Sequence, residues 1–195
     1  MNWKMIGHQW AVDLLRGHVA QDRIRHAYLI TGPEGVGKRT LGVRFTQALN
    51  CPSPREDGIP CQTCKTCQRI ARMQHPDLLV VQTEEENTAL KVDQVRDLLH
   101  KLSLSAYESP YKVALLLNFE ESTASATNAL LKTLEEPPSQ VVLILTAESS
   151  EVLLETIVSR CEEVRLRPVP LDTVREALEN RWGLPRDQAR FLAYL

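Results

Sequence analysis

The sequence predicts an α/β domain built on a parallel sheet of five strands, and three observations carry that reading. Five short runs rich in Val, Leu and Ile alternate with segments whose apolar residues recur at helical spacing. Four of the runs are apolar almost throughout, as strands covered on both faces are, while the fifth, Glu163-Val-Arg-Leu166, is half charged. The first of them ends in a glycine-rich stretch, Gly32-Pro-Glu-Gly-Val-Gly-Lys38, that leads straight into a helical pattern.

Residues 27–31 form the first strand and stop at Gly32-Pro33. Residues 38–50 form a helix, with Leu41, Phe45, Ala48 and Leu49 at helical spacing. Residues 51–67 carry four cysteines among Pro, Gly, Ser and polar residues, an irregular insertion rather than a core element. Residues 77–81 are the second strand, and 92–102 an amphipathic helix with Val92, Val95, Leu98, Leu99 and Leu102 on one face. The third strand is 112–117, followed by a helix over 124–134 that Pro137-Pro138 ends. The fourth strand is 141–146, then come a short helix at 151–158 and a fifth strand at 163–166. Each crossover should be right-handed. Arg167-Pro-Val-Pro170 reads as a linker, and 171–195 as helix without a sheet partner, ending in mid-pattern at Tyr194-Leu195. The expected organisation is one domain over 1–168 and the truncated beginning of a helical domain over 169–195.

The 195 residues are 43% hydrophobic and 25% charged, ordinary for a soluble globular protein. No apolar run approaches the ~20 residues of a membrane helix, and Met1-Asn2-Trp3-Lys4-Met5-Ile6 lacks the apolar stretch of a secretion signal. A cytoplasmic protein without a membrane partner is expected. The net charge of −2 argues against a free-standing nucleic-acid binder, which usually shows a basic excess.

The stretch from Gly32 to Lys38 fits G-x-x-x-x-G-K between a strand and a helix. Gly32, Gly35 and Gly37 allow backbone amides to curl round an anion, the helix N-terminus adds positive potential, and Lys38 would reach the outer phosphates. The alternative is a glycine-rich turn that holds no phosphate. Two positions depart from the pattern. Arg39 stands where a Ser or Thr hydroxyl would bind Mg²⁺, and Thr40 comes one residue late. Leu117-Asn118 stands where an acidic pair would close the third strand, with Glu120 and Glu121 falling on the following loop. ATP binding is therefore possible, while hydrolysis and a Mg²⁺ site are not expected.

Cys51-x9-Cys61-x2-Cys64-x2-Cys67 offers the four thiolates of a closed tetrahedral site, so structural Zn²⁺ is expected on Cys51, Cys61, Cys64 and Cys67. Free or redox-active thiols are the alternative. The fifth cysteine, Cys161, lies far away, and His75 beside Pro76 reads as a loop residue rather than a ligand.

Ile6-Gly7-His8, His26-Ala-Tyr-Leu, the phosphate loop, the four cysteines, Asn128-Ala-Leu-Leu-Lys-Thr-Leu-Glu-Glu-Pro-Pro138 and Ser159-Arg-Cys161 together resemble the clamp-loader subunits of bacterial DNA polymerase III, of the AAA+ family, over about residues 3–167. The resemblance implies a sheet of order 5-1-4-3-2 and a helical lid from about Val169. It implies a ring with gamma or tau and delta subunits that places a sliding clamp on primed DNA. Arg160 would be an arginine finger acting in trans, and Thr146 would lie near the sensor-1 position. Arg96 would face the DNA channel, or else be an ordinary solvated residue. For Arg160 the alternative is a surface ion pair with Glu162 or Glu163. The departures at Arg39, Leu117 and Asn118 favour the delta-prime type over the ATP-hydrolysing gamma or tau type. A P-loop kinase would need an acidic third strand, and a zinc-dependent DNA-binding module is disfavoured by the net charge.

Overall fold

The computed structural model describes residues 3–56, 58–83 and 89–194. Helix α1 is Gln9–Ala20, β1 Ala27–Thr31, α2 Lys38–Asn50, α3 Lys65–Ala71, β2 Leu78–Val81, α4 Val92–Ser103 and β3 Lys112–Leu116. After a 3-10 turn at Phe119–Glu121 come α5 Ala124–Glu135, β4 Val141–Ala147, a second 3-10 turn at Ser150–Val152, α6 Glu155–Val158 and β5 Glu162–Arg165. Helices α7 Leu171–Trp182 and α8 Arg186–Ala193 follow and pack on each other. Among the described residues no helix is long and apolar enough to cross a membrane.

The strands form one sheet in the order β2-β3-β4-β1-β5, and every pairing is parallel. This is the expected order. Because side chains alternate along each strand, the sheet builds two cores. Tyr28, Ile30, Leu115 and Ile144 pack with Trp3, Leu15 and Phe45 on one face. Leu29, Ala114, Leu116 and Leu143 pack with Val95, Leu98, Leu130 and Ile157 on the other.

Three local features differ from the sequence reading. Helix α1 is absent from it. The buried face of α1 is only Ala11, Val12 and Leu15, and the helix starts at His8 in the left-handed region with no side-chain cap. Helix α3 begins inside the cysteine segment, where the Cys64 side chain accepts from the Cys67 amide as an N-cap. The segment is therefore not outside the core: Cys67 and Ile70 are fully buried. Gln47 Nε2 donates to Cys67 O (2.6 Å), and Trp3 Nε1 to Gly58 O (2.9 Å). The helix expected over 151–158 is broken at Leu153-Leu154 into a 3-10 turn and the single turn α6.

Two buried charges fix the β2–β3 side. Lys112 Nζ donates to the carbonyls of Lys101 (2.7 Å), Leu104 (2.9 Å) and Ser105 (3.3 Å), satisfying the C-terminal end of α4. Asp77, 1% exposed, accepts the amides of Tyr107 (2.6 Å), Glu108 (2.9 Å) and Ser109 (3.0 Å). Removing that carboxylate strands three amides, so Asp77→Ala should cost about 3 kcal/mol in urea unfolding, on the scale of hydrogen bonds to a charged group. Asp77→Asn keeps one acceptor and should cost roughly half as much.

Candidate functional site

The loop after β1 is built by its glycines. The Gly32 amide donates to Ala147 O (3.2 Å) and Glu148 O (3.0 Å), which ties the loop to the end of β4. A Cβ at Gly32, with φ +147°, would stand 2.7 Å from Leu166 O. Gly37 caps α2 at φ 105° and Gly35 sits exposed at φ +73°. Lys38 Nζ donates to the carbonyls of Gly32 (2.5 Å) and Pro33 (3.0 Å), so the loop holds its own cation. His8 Nε2 donates to Val36 O (2.9 Å).

Beside the loop lies a cleft of about 900 Å³, lined by Lys4, Met5 and Ile6, by Pro33 to Gly37, and by Val169, Val174, Arg181 and Trp182. Arg181 donates to Lys4 O (2.8 Å) and Met5 O (3.0 Å), fastening α7 to the N-terminal segment that walls the cleft. Neither His8 nor Arg181 is identified by chemistry in the sequence. Ile6-Gly7-His8 stands out there only as part of a resemblance. Thr40 lines the cleft edge, whereas Arg39 turns toward α3 and places Nη2 3.0 Å from Met73 Sδ.

At the end of β3, Leu117 is packed into the core and Asn118 takes a left-handed conformation (φ 50°, ψ 55°). The Asn118 amide donates to the buried Thr146 hydroxyl (2.9 Å). The 3-10 turn that follows carries Glu120 back toward the loop, where one carboxylate oxygen accepts the Glu148 amide (3.0 Å). The other oxygen is buried without a hydrogen-bond partner. Burial raises the Glu120 pKa, an effect only partly offset by hydrogen bonds and by the charge of Lys38. Glu121 accepts instead from Thr83 (3.0 Å) and Asn118 (3.4 Å).

Arg160 stands just beyond α6. Its Nη1 donates to Thr156 O (2.9 Å) and Ser159 Oγ (3.4 Å), and its Nη2 to Glu135 Oε1 (2.9 Å) at the end of α5. The ion pair thus runs to Glu135, rather than to Glu162 or Glu163. It joins the Asn128–Pro138 stretch to Ser159-Arg160-Cys161. Arg96 is exposed on α4 and lies 3.5 Å from Asp93.

The sulfurs of Cys51, Cys61, Cys64 and Cys67 lie within 4.8 Å of one another. A tetrahedron of Zn–S bonds of ~2.3 Å has edges of about 3.8 Å, so the set can close on one metal ion. Amides already point at the sulfurs: Cys61 N at Cys51 Sγ (3.3 Å), Cys64 N at Cys61 Sγ (3.3 Å) and Cys67 N at Cys64 Sγ (3.4 Å). Burial pushes the Cys51 and Cys67 thiols up. Burial acts the same way on Cys61, but hydrogen bonds from Cys64 and Thr63 outweigh it and bring that thiol to about 6. A divalent cation would supply what Cys51 and Cys67 need to ionise. Cys161 is apart from this cluster, and burial pushes it up to about 12.

The family model described as DNA polymerase III, delta subunit, matches residues 7–170. The chain belongs to the delta-prime family of DNA polymerase III clamp-loader subunits. It is 40% identical over 173 residues to DNA polymerase III subunit delta' of Pseudomonas aeruginosa, covering 87% of this chain and 51% of that one. It is 32% identical over 179 residues to DNA polymerase III subunit tau of Escherichia coli, covering 90% of this chain and 27% of that one. The chain thus spans about half the length of the delta' relative. A DNA polymerase III gamma subunit-related protein of Thermotoga maritima superposes with a TM-score of 0.65 at 24% identity, over 94% of this chain and 57% of that one, and shares the fold.

Glu120 gives this site a pH signature. Its folded pKa lies above the ordinary 4.5, so the native state holds the proton longer than the unfolded chain does. Stability should fall as pH rises through the unfolded value toward the folded one, then level off. Glu120→Gln should remove that slope and be at least as stable as the parent at neutral pH, read by urea midpoints across the pH range.

Proposed function

We propose that this chain is the nucleotide-binding-fold part of a clamp-loader subunit that supplies Arg160 to the ATP site of a neighbouring gamma or tau subunit and does not itself hydrolyse ATP. Residues 1–168 would form that domain and 169–195 the start of a helical lid. The partners would be gamma or tau and delta subunits, the sliding clamp and, through the assembled ring, primed DNA in the cytoplasm. Arg96 is a candidate to face that DNA.

The observation that carries the reading is the state of Arg160. Three acceptors on its own chain orient the guanidinium, yet its side chain keeps 34% of its surface exposed. An exposed ion pair such as that with Glu135 contributes about 0–1 kcal/mol, so a phosphate can compete for the fork. The loop side supports the same division of labour. Gly32, Gly35, Gly37 and Lys38 can hold an ATP, with Thr40 at the cleft edge and Thr146 behind Asn118. The hydroxyl and acidic pair that handle Mg²⁺ and water are replaced by Arg39 and Leu117-Asn118.

In the reconstituted ring, Arg160→Ala should leave assembly intact and lower clamp- and DNA-stimulated ATP turnover. A finger in trans contributes ~10³–10⁵ at one site, but the other sites keep working, so the total falls less. Arg160→Lys should rescue poorly, because a point charge cannot reproduce the fork. Clamp loading at the parental rate by Arg160→Ala rings would overturn the proposal. Turnover by this chain alone, abolished in Lys38→Ala, would do the same.

The cysteine cluster is proposed to hold one structural Zn²⁺ per chain. Elemental analysis of unchelated protein should find it. Chelation or Cys61→Ser should lower the melting temperature, because α3 shares the core with α2 through Ile70 and Gln47. Freshly purified protein without metal would refute the site.

A further inference from the structure

A groove of about 420 Å³ between α2 and the end of α3 is lined by Arg39, Val43, Arg44, Ala71, Arg72 and Met73, and Arg44 also lines the cleft beside the phosphate loop. None of the three arginines has an ion pair among the described residues. Arg39 rests its guanidinium on the Met73 thioether, and Arg44 donates to Gln47 Oε1 (2.9 Å). The Nε of Arg44 is buried with no hydrogen-bond partner, and burial pulls the guanidinium down from its usual value.

Buried charge is ordinarily paired, and a buried donor without a partner calls for an explanation. Here three like charges share one groove on a chain whose net charge is −2. An anion in the groove relieves their mutual repulsion and the poor compensation of Arg44 together. Guanidinium forks match the paired oxygens of phosphates and carboxylates.

We propose that this groove binds backbone phosphates of a nucleic-acid strand, with the sugars resting on Val43 and Met73. Arg39 and Arg44 are five residues apart on α2, a rise of about 7.5 Å, so their charges are strung along the groove rather than focused on one point. No glycine lines the groove, unlike the loop at Gly32–Lys38. Both features suit a chain passing through better than a single nucleotide. The inference is independent of the finger role of Arg160, since it concerns binding by this chain itself.

The test is fluorescence anisotropy of a fluorescein-labelled oligothymidylate with the purified chain at low salt. Arg39 and Arg72 are exposed, so the double variant Arg39→Glu/Arg72→Glu should keep its fold, checked by its melting curve; should it melt early, Arg39→Gln/Arg72→Gln takes its place. We expect at least tenfold weaker binding and a salt dependence shallower by about 1.4 in log–log slope, ~0.7 for each phosphate that no longer meets an arginine. Lys38→Ala should bind the strand as the parent does. The proposal fails if the parent does not bind, if the double variant binds with parental affinity and slope, or if Lys38→Ala weakens binding equally. Displacement of the strand from Lys38→Ala protein by ATP at matched phosphate concentration would also overturn it, assigning the groove to a mononucleotide.

Discussion

The parallel pairing of β1 with β4 on one side and β5 on the other fixes where everything else can be. A strand flanked on both edges and covered on both faces has no freedom of register, because a slip of one residue would exchange its two cores. Ile30 opposite Thr146 and Thr31 opposite Ala147 therefore bring the ends of β1 and β4 level. The Gly32 amide can then reach two carbonyls at the end of β4, and β5 brings Leu166 O close enough to exclude any side chain at Gly32. The loop, Thr146, Glu148 and the Pro168-Val169 segment lie toward one end of the sheet because one strand is pinned there.

What is legible in the sequence is what this sheet imposes. Strands β1, β3 and β4 are apolar because both faces are covered, the edge strand β5 buries only Val164, and helices α2, α4 and α5 carry apolar stripes because each lies flat on one face. Elements escape the sequence pattern where the signal is local and polar. Helix α1 starts at a left-handed His8 and buries a narrow stripe, and α3 is capped by a cysteine within a segment whose composition reads as loop. The grouping of the four cysteines is legible from their spacing, and their sulfurs do come within 4.8 Å of one another. The fold-back of Glu120 is not legible: it depends on Asn118 taking a positive φ, which Asn tolerates but does not require.

The two acidic residues after β3 show why a motif read position by position misses part of the chemistry. Leu117 lies in the core, where an acid could not readily ionise, and Asn118 is turned to pair its amide with Thr146. A carboxylate nonetheless returns to the loop a few positions later, at Glu120. It is held by a backbone amide at one oxygen, uncompensated at the other and within the influence of Lys38. Burial raises its pKa, so Glu120 gives up its proton less readily than a solvated carboxyl does.

In its proposed finger role Arg160 would depend on a similar balance. A finger must be ordered before its partner arrives, or the ordering entropy of a long side chain adds to the barrier. It must also be weakly held, or the partner's phosphate cannot take it. Thr156 O and Ser159 Oγ set its direction through neutral acceptors, and Glu135 adds charge at a half-exposed position where solvent screens it. A buried Glu135 would bind Arg160 too tightly to release, and an apolar residue there would leave half of the fork unguided. In that role the end of the Asn128–Pro138 stretch and the Ser159-Arg160-Cys161 turn would act together, joined by the contact of Arg160 with Glu135.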